Sequence, residues 1–298
     1  MVAEPWREWL GRTGPTVVGP YPVSLAGIGY LAEAVEDERL ATYVAAGGDR
    51  APRSFVTIAS RVPNWRPDSE TGPDTFMLAM AVPVDCNSAV NTALEQTYLA
   101  PLMVGDRVVS QSTILAIEPR KTRLGAGFQI TERIEHRTDR GVVACTENSM
   151  FRFQAPEHQP ENSDGRRAAM PPLDGATPKS DFEPVLMPVT MTLLAAAAGA
   201  VRDYSRLHHD VDFARSVGHP TAFLSYSFQM AVVMRALGEW LEGDDRVHRL
   251  SLSMKAPIYL GQTVACTAVR GESGMLDITL SAGGRACTVG SANIEEAQ

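Results

Sequence analysis

Two acids and two imidazoles fall within one eight-residue stretch, Asp203-Tyr204-Ser205-Arg206-Leu207-His208-His209-Asp210. A carboxylate beside an imidazole can hold a water and exchange protons with it near neutral pH. An Asp five residues before a His, at the end of a helix, can place both side chains on one side of a turn. Asp203 and His208 are therefore the candidate acid–base pair. Their neighbours have plainer readings. Asp210 is placed to cap the turn at 212–214. His209 reads as a solvated neighbour, and His219 as a loop residue ahead of the next helix. Adjacent imidazoles seldom converge on one ion, so His208, His209 and Asp210 do not predict a metal site. No cofactor is expected.

The elements that must position this pair are legible around it. Residues 191–201 are nearly apolar and rich in Ala and Leu, which predicts a short buried helix. Residues 221–241 predict a longer helix, apolar around most of its circumference and stopped by Gly243. Strands are expected at 249–253, 262–270, 275–282 and 285–294. A helix this apolar must be enclosed, and a curling antiparallel sheet wrapped around it is the economical solution.

The chain reads as two copies. Ala100-Pro101-Leu102-Met103-Val104-Gly105 matches Ala256-Pro257-Ile258-Tyr259-Leu260-Gly261. Upstream, Ala34-Val35-Glu36-Asp37 matches Ala200-Val201-Arg202-Asp203 in the same order. Between the halves, 154–184 holds six prolines and no apolar period, the mark of a linker crossing the surface. The predicted division is 1–153, a linker at 154–184, and 185–298. Strands in the first half are expected at 105–117, 125–133 and 141–153. The fold class is α+β: a double hotdog, with each half a long central helix wrapped by antiparallel sheet. On the repeat, Asp203 pairs with Asp37 and His208 with Thr42. The first half keeps the acid, loses the imidazole, and is expected to shape a pocket.

Composition narrows the function classes. The 298 residues are 44% hydrophobic and 21% charged, which fits globular packing, and carry a net charge of -8. Such acidity argues against nucleic acid or anionic membranes as partners. No apolar run is long enough to span a bilayer. The first eight residues lack an apolar core, so a secretory signal is not expected and a cytoplasmic location is. Cys86, Cys145, Cys266 and Cys287 form no Cys-x-x-Cys pair and read as reduced thiols. No glycine pattern for phosphate or dinucleotide binding follows a strand.

The stretch Asp203-x-Ser205-Arg206-Leu207-His208-His209-Asp210, followed by Ala214 and Gly218, resembles the hydratase motif of the MaoC-like (R)-specific enoyl-CoA hydratases and 3-hydroxyacyl-thioester dehydratases. The first half resembles the non-catalytic hotdog of the same proteins through Tyr98, Pro101, Gly105-Asp106, the 120–125 stretch and Phe151-Arg152-Phe153. The resemblance implies a catalytic Asp203 and His208 that add water across a trans-2-enoyl thioester or remove it. Base and acid are not assigned within the pair. Ser205 stands where the family has Asn, and Arg206 where it has Pro. The resemblance further implies a substrate-binding role for His209 and a thioester oxygen held by backbone N–H groups among Leu224, Ser225 and Tyr226. The family often has a glycine there, and this chain has none. The expected substrate is an acyl-CoA or acyl-carrier-protein thioester, with a bulky acyl group such as a steroid- or polyketide-like one. The expected assembly is a homodimer joined through sheet edges. Two other readings stay open: a hotdog thioesterase, and a non-catalytic acyl-thioester-binding subunit.

Overall fold

The computed structural model describes residues 4–62, 77–154, 169–272 and 274–294. Its strands are β1 Thr13–Val18, β2 Ser88–Tyr98, β3 Val109–Thr122, β4 Gly125–Thr138, β5 Gly141–Phe153, β6 Val185–Pro188, β7 Val247–Met254, β8 Thr263–Arg270, β9 Met275–Ala282 and β10 Arg285–Ile294. Its α-helices are α1 Leu25–Val35, α2 Glu38–Ala45, α3 Phe55–Ala59, α4 Leu78–Ala81, α5 Met191–Ala200, α6 Val211–Ser216 and α7 Tyr226–Trp240. The strands form one sheet in the order β1-β3-β4-β5-β2-β7-β10-β9-β8-β6. The two halves therefore repeat one five-strand plan and meet where β2 pairs antiparallel with β7, Glu95 opposite Ser251. This is the expected double hotdog.

The duplication extends to single hydrogen bonds. The Gly105 N–H donates to the Val23 carbonyl, and the Gly261 N–H to the Val189 carbonyl. Both glycines have positive φ, 95° and 91°, which favours residues without a Cβ. Each turn is clamped by the side chain that follows: Asp106 accepts from the Met103 N–H, and Gln262 from the Tyr259 N–H, both at 2.8 Å. Helices α1 and α5 are also equivalent. Ser24 caps the first and Thr190 the second. Each ends in a left-handed non-glycine residue, Glu36 and Arg202, and the next residue, Asp37 or Asp203, donates its N–H back to Ala32 or Ala198. The match of Asp37 with Asp203 is structural. Thr42 does not take the place of His208, because the first half continues into α2 and Thr42 lies on its exposed side.

Helix α7 is the central helix of the second half. Eleven of its 15 residues are buried, among them Phe228, Val233, Ala236 and Leu237. It starts at Tyr226, later than the expected 221. Ala222 and Leu224 are buried, and Phe223 half-buried, for a different reason: the segment is not helical, and Phe223 bridges Tyr259. Ser225 then caps the helix by accepting the Phe228 N–H at 3.2 Å. The first half departs from the expected plan here. Among its described residues no helix matches α7, and α1, at 11 residues, is its longest. Helix α4 packs on β3 and β4, whereas α1 packs on α2, α5 and α7.

Of the expected linker, 155–168 lies outside the described residues. The part from 169 onward packs on the second half: Phe182 stacks on Trp240, and Gln262 donates to the Pro172 carbonyl. Among the described residues no helix is long and apolar enough to cross a membrane.

Candidate active site

Three chain segments converge at the N-terminal end of α7. Asp203 follows the left-handed residue that ends α5. His208 closes a 3₁₀ turn, Arg206–His208. Phe223 lies on the non-helical approach to α7. The His208 Nδ1 lies 2.9 Å from the Phe223 carbonyl oxygen. A carbonyl can only accept, so Nδ1 carries the proton, and Nε2 faces Asp203 Oδ1 at 3.9 Å. Both side chains are largely buried, 12% and 13% exposed. Burial is the main cause that lowers the His208 pKa below the usual imidazole range, against the opposing pull of Asp203. His208 is therefore neutral at pH 7, and Nε2 presents a lone pair.

The first half contributes a residue that sequence reasoning missed. Arg61, just after α3, places Nη2 3.5 Å from Asp203 Oδ2 and 2.6 Å from the Ser227 hydroxyl. Its own carbonyl accepts from Arg202 at 2.8 Å. Arg61 thus ties the far oxygen of Asp203 to the start of α7 and leaves the near oxygen for His208. No spacing signal marks Arg61, because its partner lies 142 residues away.

The other expected site residues divide. The Ser205 side chain is exposed and makes no cap bond, and its backbone N–H approaches Asp203 Oδ1 at 3.5 Å. His209 turns its Nε2 to the Tyr204 carbonyl at 3.1 Å. The Leu224 N–H is not available to a ligand, since it donates to the Ile258 carbonyl at 2.9 Å. The Ser225 hydroxyl is engaged as the α7 cap. The N–H groups of Tyr226 and Ser227 have no acceptor among the described residues, as the first turn of a helix dictates. The expected donors thus shift from Leu224 towards Tyr226 and Ser227. Asp210 caps α6 by accepting the Phe213 N–H at 2.9 Å, and it pairs with Arg206 at 2.7 Å. His219 does not stand alone: its ring lies 4.6 Å from that of Phe223, and Nδ1 lies 3.2 Å from the Tyr259 hydroxyl.

These contacts separate two neighbouring side chains experimentally. Ser205→Ala is expected to leave both folding and any turnover nearly unchanged, because only the backbone of Ser205 meets Asp203. Asp210→Asn is expected to cost about 1 kcal/mol through a weakened cap. Urea denaturation of both variants checks this.

No family model matches the chain, and no curated protein does. Solved structures do match it. A MaoC-like dehydratase superposes with a TM-score of 0.75 at 16% identity, over 98% of this chain and 100% of its own. A MaoC-like dehydratase from Phytophthora Capsici gives 0.71 at 16%, over 98% and 99%. A protein from Mycobacterium tuberculosis with a double hotdog fold gives 0.55 at 13%, over 97% of each chain. At these identities the likeness concerns architecture alone: this chain is a double hotdog, similar in fold to the MaoC-like dehydratases.

Proposed function

We propose that the chain hydrates a trans-2-enoyl thioester reversibly, or dehydrates the corresponding 3-hydroxyacyl thioester, at Asp203 and His208. The observation that carries this reading is the pair of acceptors, His208 Nε2 and Asp203 Oδ1, 3.9 Å apart in a largely buried place. One water donating to two acceptors at about 2.8 Å each holds them roughly 4–4.5 Å apart, so the pair needs little movement to hold one. The hydroxyl of that water adds to the β-carbon. Its proton passes to the pair, and a proton returns from the pair to the α-carbon. In the reverse direction the same groups remove the α-proton and protonate the departing hydroxyl.

The thioester oxygen gains negative charge as the α-carbon changes. The N–H groups of Tyr226 and Ser227 point from the positive end of the α7 dipole and suit that oxygen. Arg61 adds a cation on the same side. A CoA carrier is the favoured form of substrate: Arg285 and Arg123 both lie within electrostatic reach of Tyr259, at the edge of the aromatic group around Phe223. Arg249 is less suited to phosphate, being paired with Glu95 at 2.5 Å. The thioesterase reading has less support. Such enzymes place a carboxylate on the long helix, and α7 has its sole acid, Glu239, in its last turn, paired with Arg235. A homodimer through the sheet edges remains part of the proposal.

The test is a panel of short, long and polycyclic enoyl-CoAs, followed by loss of the enoyl absorbance and by release of free thiol. Hydration without thiol release is the expected result. Thiol release in its place would favour hydrolysis.

A further inference from the structure

The repeat allows the inner faces of the two half-sheets to be compared position by position. In the first half Asn148 lies between Leu94 and Glu132. In the second, Ala292 lies between Leu250 and Leu276. The alignment is fixed independently, because Val143 accepts the N–H groups of Leu99 and Ala100 just as Cys287 accepts those of Lys255 and Ala256. The same bulge follows in both halves, between His136 and Arg137 and between Ala286 and Thr288. By this register Glu132 replaces Leu276, His136 replaces Leu280, and Asn148 replaces Ala292. Gln96 stands where Leu252 does, and Ser110 where Cys266 does. The second half packs this apolar face against α7. The first half has made it polar while keeping it buried: Gln96, Glu132 and His136 are 0% exposed, and Asn148 is 2%.

Most of this polarity is satisfied internally. Ser110 meets His136 Nδ1 at 2.8 Å, His136 Nε2 meets Thr146 at 3.0 Å, Gln96 donates to Thr146 at 2.9 Å, and Tyr98 donates to Gln96 at 2.7 Å. The run stops one row short. By hydrogen-bond geometry both amide atoms of Asn148 and Oε1 of Glu132 lack a partner among the described residues, although the Asn148 amide lies near enough to the Glu132 carboxyl to oppose the rise in its pKa. Such groups cost roughly 1–3 kcal/mol each when left unmade. Asn148 lines a cleft together with Thr57, Ile134, Tyr226 and Arg61. Arg61 is the residue that touches Asp203, and Tyr226 feels the charges of Arg61, Asp203 and Glu132. Asn148, with Glu132 opposite it on the next strand, therefore lies in a cleft whose Arg61 wall reaches Asp203, from the other half of the molecule.

We infer that this cleft is a polar subsite in which Asn148, with Glu132 beside it, hydrogen-bonds a hydroxyl or carbonyl group carried by the acyl chain away from its thioester. The inference rests on the hydratase reading for the position of the thioester, and it names the class of acyl group: one that bears oxygen, not a plain hydrocarbon. An amide offers both a donor and an acceptor, so an alcohol and a ketone both fit it. A hydrocarbon chain would leave both unpaired, which is how buried polar groups reject an analogue lacking the matching group.

The test measures binding and needs no turnover. Saturated ω-hydroxyacyl-CoAs of roughly six to twelve carbons are titrated calorimetrically into the full chain, each against its methyl-ended isostere. At the length that reaches Asn148, the hydroxylated ligand is expected to bind roughly ten- to a hundredfold tighter. Asn148→Ala, which installs the residue type the second half carries, is expected to abolish that preference with little change for the isostere. Glu132→Gln, which keeps hydrogen-bonding capacity, is expected to retain most of it. Equal binding of every pair by the wild-type chain would overturn the inference, as would a preference that survives Asn148→Ala. Failure of the hydratase reading looks different: no loss of enoyl absorbance, with the binding preference intact.

Discussion

Asp203→Asn and His208→Ala are each expected to lower hydration of a good enoyl thioester by about 10²–10⁴-fold while leaving the fold intact. Asp203→Asn removes the carboxylate's charge and basicity, and His208→Ala removes the imidazole, from the two groups that would hold the same water, 3.9 Å apart. The double variant is therefore expected to be scarcely worse than the more damaged single one, since residues that act as a unit are far from additive. Both side chains are largely buried, but their contacts are few: His208 bonds the Phe223 carbonyl and packs edge-on against that ring, and Asp203 pairs with Arg61. Circular dichroism and thermal melts should match the parent. Initial rates of absorbance loss, on whichever acyl group the panel selects, measure the effect. Full turnover in both variants would move the chemistry elsewhere in the cleft and favour a binding subunit.

The second large effect is on stability, and its sign depends on pH. Burial raises the Glu132 carboxyl from its ordinary 4.5 to about 7. The folded state thus keeps a proton that the unfolded chain gives up. Stability from this group is full below about pH 4.5 and is lost as pH rises to about 7. The loss amounts to about 3 kcal/mol, from a shift of that size at 1.36 kcal/mol per unit. His136 works in the opposite direction. Burial lowers its imidazole to about 4, so stability is lost as pH falls from the ordinary 6.5 towards 4. The two slopes oppose each other across nearly the same window, so the parent protein is expected to show less pH dependence than either group alone would cause. Glu132→Gln removes one slope. Its stability relative to the parent is expected to rise by about 3 kcal/mol between about pH 4.5 and 7, read from urea midpoints at each pH. A difference that stays flat with pH would mean that Glu132 is ionised in the folded protein throughout.

The sequence by itself determined the duplication, because two turns that demand the same backbone geometry retain the same residues: a proline, then a glycine at positive φ, at Gly105 and Gly261. It determined β9 and β10 to the residue, since their apolar alternation is clean and the Gly283-Gly284 turn separates them. It also brought Asp203 and His208 together, because a separation of five residues across one turn is local geometry. The start of α7 was not legible: Ala222, Phe223 and Leu224 are apolar for a non-helical crossing, and periodicity cannot distinguish that from a helix turn. Strands β1, β2 and β6 were not among the expected strands, since their neighbours in the sheet decide which side is buried.

Only the tertiary structure decided the rest of the cleft. Strand β4 reads Thr131-Glu132-Arg133-Ile134-Glu135-His136-Arg137, polar on both faces, so alternation cannot say which face turns inward. Pairing with β3 and β5 settles it, burying Glu132 and His136 and exposing Arg133 and Arg137. Arg61 reaches Asp203 because the β2–β7 seam sets one half against the other, and the Leu224 N–H is lost to a ligand because Ile258 lies beside it. Each of these depends on contacts between residues far apart in the chain, which no local pattern of residue types encodes.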